Sequence, residues 1–169
     1  EIQSEMTTKV NKVLDILSQK NLSKTQKGDK IVVVLDDIFD YSIMSRLALS
    51  RTWNKLSKEK RAEFTKVFEK NLKQSYIDKL DLYKGQKVKI LGLVPYKKNR
   101  LQLQAQLKGA GENYPINYNF YENKSKNEWF VYDIEIAGVS IIKTYMTQFR
   151  DQLNEKNINE LIKTLKAKN

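Results

Sequence analysis

Only carboxylates, amines and hydroxyls could do chemistry in this chain, because it contains no histidine and no cysteine. That absence excludes thiol nucleophiles, disulfides, zinc sites built on Cys or His, and Ser-His-Asp triads. Acidic side chains crowd together at Asp36, Asp37 and Asp40. Such a group could serve a metal or acid–base chemistry, yet one helical stretch closes no ligand set, and helix capping plus a solvated edge explains it as well. Asp133 stands apart, because it follows Tyr132 inside an apolar run. A carboxylate there is at least half-buried. It could act as a general base, as in cone-shaped isomerase folds, or it could accept backbone hydrogen bonds or pair with a Lys or Arg.

Cations are the second chemical resource. Lys and Arg number 31 against 20 Asp and Glu, a net charge of +11. Such a surface attracts nucleic acid, anionic lipid headgroups or acidic proteins. Lys dominates over Arg, the residue better suited to bidentate phosphate or base recognition, which weakens a nucleic-acid reading. Tyr114, Tyr118, Phe120, Tyr121, Trp129, Phe130 and Tyr132 lie among basic residues and could stack bases. Lining a core or a pocket is the simpler role for them. Lys97, Lys98 and Arg100 cluster at a hairpin, where they could meet phosphate groups or simply water.

The elements that would position these groups follow from periodicity. Ile2–Lys20 places Ile2, Met6, Val10, Val13, Leu14 and Leu17 on one helical stripe. Asn21–Asp29 is polar and turn-like, and Lys30–Phe39 reads as a buried helix around the apolar run Ile31–Leu35. Asp40 is a good N-cap for a helix over Tyr41–Ser50, continued by Arg51–Leu56. Ser57 caps the longest helix, Lys58–Leu82, whose stripe is Phe64, Val67, Phe68, Leu72, Tyr76 and Leu80. After Lys84-Gly85 the period changes to two. Strands are expected over Gln86–Tyr96, Arg100–Lys108, Ile116–Glu122 and Glu128–Ala137. The last carries apolar side chains on both faces, so it is either covered twice or wrapped around a ligand on one side. Gly138 makes a corner into a helix over Ser140–Glu155, and Ile158–Ala167 forms a final helix.

These elements make an α+β fold: N-terminal helices, a four-stranded antiparallel curved sheet, two C-terminal helices, and an apolar pocket between sheet and helices. At 169 residues it is one domain, 1–169, with a real core. No run approaches ~18 apolar residues, so no membrane-spanning helix is expected. The chain starts at Glu1 rather than Met, as after removal of a leader or tag.

Three blocks carry a likeness to a known family. They are FDYSIMSRLALSRTWNKLSKEKRAEFTKVFEKNL (Phe39–Leu72), SYIDKLDLYKGQKVKI (Ser75–Ile90) and WFVYDIEIAGVSIIKTYMTQF (Trp129–Phe149). The chain resembles the MlaC, or toluene-tolerance auxiliary, family over roughly residues 31–165. The third block is the most specific, with its Tyr-Asp pair, Gly138-Val139-Ser140 and following helix in order. At Met146 the chain departs from the family, which often carries Arg there.

The resemblance implies a single lipid-binding domain that acts in the periplasm without catalysis or a cofactor, its ligand a phospholipid. It implies partners too: an outer-membrane lipoprotein complex and an inner-membrane ABC transporter with an MCE subunit. Contact with membranes would be transient, and nucleic acid would not be a partner. Two acyl chains hold about thirty methylenes, whose exposure to water would cost roughly 24 kcal/mol. A carrier must therefore offer an interior nearly as apolar as a bilayer. The expected wall is Leu47, Trp53, Phe64, Phe68, Tyr76, Val88, Ile90, Leu101, Leu103, Ile116, Tyr118, Tyr132, Ile134, Val139 and Tyr145. The alternatives are a small cone-fold enzyme with Asp133 as base, or a basic nucleic-acid-binding domain.

Overall fold

The computed structural model describes residues 1–168. Its elements run α1 (Ile2–Ser18), α2 (Lys24–Asp36), α3 (Tyr41–Leu49), α4 (Arg51–Asn54), α5 (Lys58–Asp78), a 3-10 turn (Lys79–Leu82), β1 (Lys87–Pro95), β2 (Arg100–Gly109), β3 (Glu112–Asn123), β4 (Glu128–Ile136), β5 (Val139–Ser140), α6 (Ile141–Leu153) and α7 (Ile158–Ala167). The strands form one antiparallel meander in chain order. This is the expected α+β architecture. A two-residue fifth strand is added where the Ala137-Gly138 turn folds Val139 and Ser140 back onto Ile136 and Glu135.

Local chemistry sets the helix starts. Asp40 Oδ1 accepts the Ile43 amide at 3.1 Å, Ser57 Oγ the Lys60 amide at 3.1 Å, and Ser140 Oγ the Lys143 amide at 3.0 Å. The turn expected over Asn21–Asp29 is mostly helix. Ser23 and Gln26 form a capping box, each side chain bonding the other's backbone amide, so α2 begins at Lys24. The long helix ends at Asp78 and tightens into the 3-10 turn.

Two bulges reset strand parity, and one of them explains why the last strand looked apolar on both sides. The register of β1 on β2 shifts between Ile90 and Gly92, which leaves Leu91 as an extra residue. The register of β3 on β4 shifts so that Tyr132 is extra between Val131 and Asp133. Each bulge switches the parity of its strand. One sheet face then carries Val88, Ile90 and Leu93 of β1, Leu101, Leu103, Ala105 and Leu107 of β2, Ile116, Tyr118 and Phe120 of β3, and Val131, Ile134 and Ile136 of β4. The opposite face carries Gln102, Gln104, Asn117, Asn119 and Glu135. β3 begins at Glu112, earlier than the expected Ile116, and so includes Pro115. The strand tolerates this proline because Ile116 is its first residue paired with β4.

The helices bury the apolar face at one end of the sheet. Phe64 and Phe68 stack with centroids 5.6 Å apart, and Phe149 meets both rings edge-on at 5.7 and 5.5 Å. Leu103, Val131, Leu161 and Leu165 close this main core. A separate small cluster of Ile16, Ile31 and Val34 joins α1 to α2. α2 crosses α5 closely at Gly28, where a Cβ would lie 2.6 Å from Ile77 Cγ1.

Candidate functional site

At the other end, α1 lies over the sheet without filling the space beneath it. A cavity of about 410 Å³ remains, within the usual range for small-molecule sites. α1 contributes Met6, Val10, Val13, Leu14 and Leu17. Leu35, Ile38 and Phe39 close one side, Tyr76, Leu80 and Tyr83 another, and the apolar sheet face supplies Val88, Leu107, Tyr114 and Tyr118. Polar lining is confined to Lys9, Lys79, Gln86 and Glu112. Lys79, Leu82 and Glu112 are exposed and mark the mouth. Burial pushes the Tyr118 hydroxyl up to about 12 and raises that of Tyr76 further, so both stay neutral. Phe39 lies against Tyr76 with centroids 6.1 Å apart. A wider, more polar groove adjoins the cavity and shares Met6, Lys9 and Ile38 with it.

The residues expected to form the wall are distributed over several places. Tyr76, Val88 and Tyr118 line this cavity. Trp53, Phe64, Phe68, Leu103 and Ile116 are buried by packing, and Ile90, Leu101, Ile134 and Tyr145 lie half-buried against the main core. Leu47 and Tyr132 line a second, smaller cavity, and Val139 is 58% exposed on the β4–β5 turn. The space between the middle of the sheet and α5–α6 is filled by aromatic rings, so the open volume lies under α1. The stripe from Met6 to Leu17 was legible as a helix, but no pattern in it says which surface it covers.

The acidic group near α3 is structural. Asp36 pairs with Lys73 at 3.1 Å, Asp37 lies 3.8 Å from Lys9, and Asp40 caps α3 and accepts the Tyr121 hydroxyl. Among the described residues no group of three or more acidic side chains could hold a metal ion. The strand aromatics are likewise engaged. The Arg100 guanidinium lies 5.8 Å from the Tyr121 ring centroid and 5.5 Å from that of Tyr132, and Lys126 stands 5.6 Å from Phe130.

Asp133 does not reach the large cavity. It lines the second one, of about 230 Å³, with Asn119, Glu135, Ser140, Lys143 and Met146. Its Oδ1 accepts the amides of Ile134 at 2.8 Å and Ile142 at 3.1 Å, and its Oδ2 accepts the Ser140 hydroxyl. The carboxylate thus ties β4 to the start of α6. Beside it, Glu135 Oε2 accepts from Asn119 at 2.7 Å and Gln102 at 3.4 Å. Burial raises the Asp133 pKa above its ordinary 3.8, only partly opposed by the three donors. A folded-state pKa above the unfolded one means that the folded state holds the proton longer as pH rises. The resulting stabilisation is complete below pH 3.8 and is lost as pH climbs through the folded value. In Asp133→Asn the amide oxygen can still accept both backbone amides, while its NH2 donates to Ser140 Oγ. Urea unfolding between acid and neutral pH should show the wild type losing stability relative to this variant as pH rises. A pH-independent difference would refute the assignment. Asp133→Ala, which strands the donors, should cost about 1–3 kcal/mol at acid pH and less at neutral pH, because only the wild type loses stability as the carboxyl ionises.

A family model described as MlaC protein matches residues 7–167. The intermembrane phospholipid transport system binding protein MlaC of Haemophilus influenzae is 26% identical over 152 residues, covering 85% of this chain and 71% of that protein. A phospholipid-binding protein from Ralstonia solanacearum, solved in complex with a phospholipid, superposes with a TM-score of 0.81 at 22% identity, covering 98% of this chain and 95% of the other. With a matched span that runs from within α1 through the sheet to the end of α7, the chain belongs to the MlaC family.

Proposed function

We propose that the protein is a phospholipid carrier that shelters acyl chain in the cavity under α1. The observation that carries this reading is an apolar cavity of about 410 Å³, walled by α1 and the sheet, in a chain of the MlaC family. Each buried methylene contributes about 0.8 kcal/mol, so a sixteen-carbon chain in water would cost roughly 12 kcal/mol. An apolar lining removes most of that penalty, while the polar rim leaves a headgroup in water. The similarity to the Haemophilus influenzae transport protein supports a place in an intermembrane phospholipid pathway, and hence in the periplasm. There the carrier would exchange lipid with an outer-membrane lipoprotein complex and with an inner-membrane ABC transporter bearing an MCE subunit. Binding and release need no catalytic group and no cofactor. Among the described residues no helix is long and apolar enough to cross a membrane, as a diffusing carrier requires.

Native mass spectrometry of the purified protein, followed by lipid extraction, tests the reading. A phospholipid adduct released on denaturation is expected. A protein that is lipid-free and cannot be loaded from liposomes would overturn it.

A further inference from the structure

We propose that the lip Lys79–Lys87 docks the protein on an anionic lipid bilayer, with Leu82 entering the headgroup layer. The inference rests on the carrier reading and names the surface through which cargo enters and leaves.

Leu82 lines the cavity and yet is 66% exposed, so it stands at the mouth. Its neighbours Leu80 and Tyr83 line the same wall and are less exposed. Lys79 and Lys84 flank it in the chain and Lys87 follows at the start of β1, all exposed. Lys87 stands directly opposite Lys108 on the end rung of the β1–β2 ladder, on the sheet face away from Val88 and Leu107 but at the same end as the mouth. Like charges in that position destabilise a sheet, so an anionic partner would relieve the repulsion. Among the described residues, the ion pairs engage none of these four ammonium groups. Of the described acidic groups nearby, only Asp81 is ion-paired, with Lys24 at 2.8 Å. Asp78 and Glu112 accept from neutral glutamines, each at 2.9 Å, and keep their charge, so the four lysines outnumber the free carboxylates four to two.

The chemistry favours a bilayer over a protein. Protein interfaces are depleted in Lys and enriched in Arg and aromatic rings, whereas this lip offers lysines around a single protruding aliphatic side chain. Lysines held within a Debye length of an anionic surface, with one apolar anchor, form an interfacial membrane contact. Seated this way, the cavity mouth faces the headgroups, and an acyl chain can pass from bilayer to cavity without crossing bulk water.

The experiment uses co-sedimentation with vesicles of phosphatidylglycerol and phosphatidylcholine, compared with phosphatidylcholine alone. Exchange of labelled phospholipid with the same vesicles is followed in parallel. The wild type should bind the anionic vesicles preferentially, and less as salt rises. Lys84→Gln/Lys87→Gln removes two charges that do not line the cavity. It should weaken vesicle binding by about 25-fold, about fivefold per lysine, and slow exchange while leaving lipid per protein at equilibrium unchanged. Leu82→Ser should weaken vesicle binding by about tenfold. Equal binding of both vesicle types by the wild type, or unaltered binding by the double variant, overturns the proposal. So does a double variant that exchanges with protein-free vesicles at the wild-type rate and fails only towards a partner protein. Failure of the carrier reading would look different: no lipid taken up by the wild type, whatever its vesicle binding.

Discussion

Leu14→Asp should yield a folded protein that no longer retains lipid. Leu14 lines the cavity from α1 but belongs to neither hydrophobic cluster, as does Val10 one turn earlier. Its side chain therefore meets the cavity contents rather than neighbouring protein. In the empty protein a carboxylate there can be hydrated. Against an acyl chain it must be stripped of most of its water. Such burial costs at least about 3 kcal/mol, which is a loss of roughly a hundredfold or more in affinity. Native mass spectrometry reads the occupancy, and a thermal melt monitored by circular dichroism checks that the fold survives. Wild-type occupancy in a folded Leu14→Asp protein would mean that the acyl chain lies elsewhere.

The second large effect concerns stability. Phe68→Ala should cost about 3–5 kcal/mol in urea unfolding. Phe68 is fully buried, stacks on Phe64, and meets the Tyr145 ring edge-on at 5.0 Å and Phe149 at 5.5 Å. Through these contacts it joins α5 to α6, so its removal opens a void between helices that the sheet cannot collapse to fill. Set against the 5–15 kcal/mol typical of a domain, this is a large fraction of the total. A cost under about 1 kcal/mol would show that the helices repack freely.

Where a local rule decides structure, the sequence was readable. Asp40, Ser57 and Ser140 announced their helices because a cap needs only a side chain and the next turn. Ser23 and Gln26 carried the same kind of signal, but it sat inside a polar stretch that resembled a turn. The bulges at Leu91 and Tyr132 were not legible. Alternation reports parity, and an extra residue merely shifts it, so β4 looked double-sided when it changes face at Tyr132. The wall of the site was the least legible. Phe68 and Val88 are both apolar residues in regular elements, yet one is sealed among rings and the other faces open volume. That difference depends on how far apart the layers stand. Tyr76, Val88 and Tyr118 were expected in the wall and do line the cavity, while the α1 residues opposite them were seen only as a helical stripe.

α1 has a mechanical consequence. Near one end it is fixed by Met6 in the main core, and near the other by Ile16 in the small cluster with α2. Ten residues of helix separate these anchors, a span of about 15 Å at 1.5 Å per residue. Between them, Val10 and Leu14 rest on neither cluster. α1 is thus a beam held at both ends and braced along one side by Val13 and the Lys9–Asp37 pair, while over the cavity itself the stiffness of its backbone carries the span. On the carrier reading, a lipid chain lodged there would prop the beam at mid-span, so filling the chamber and bracing its roof would be one event.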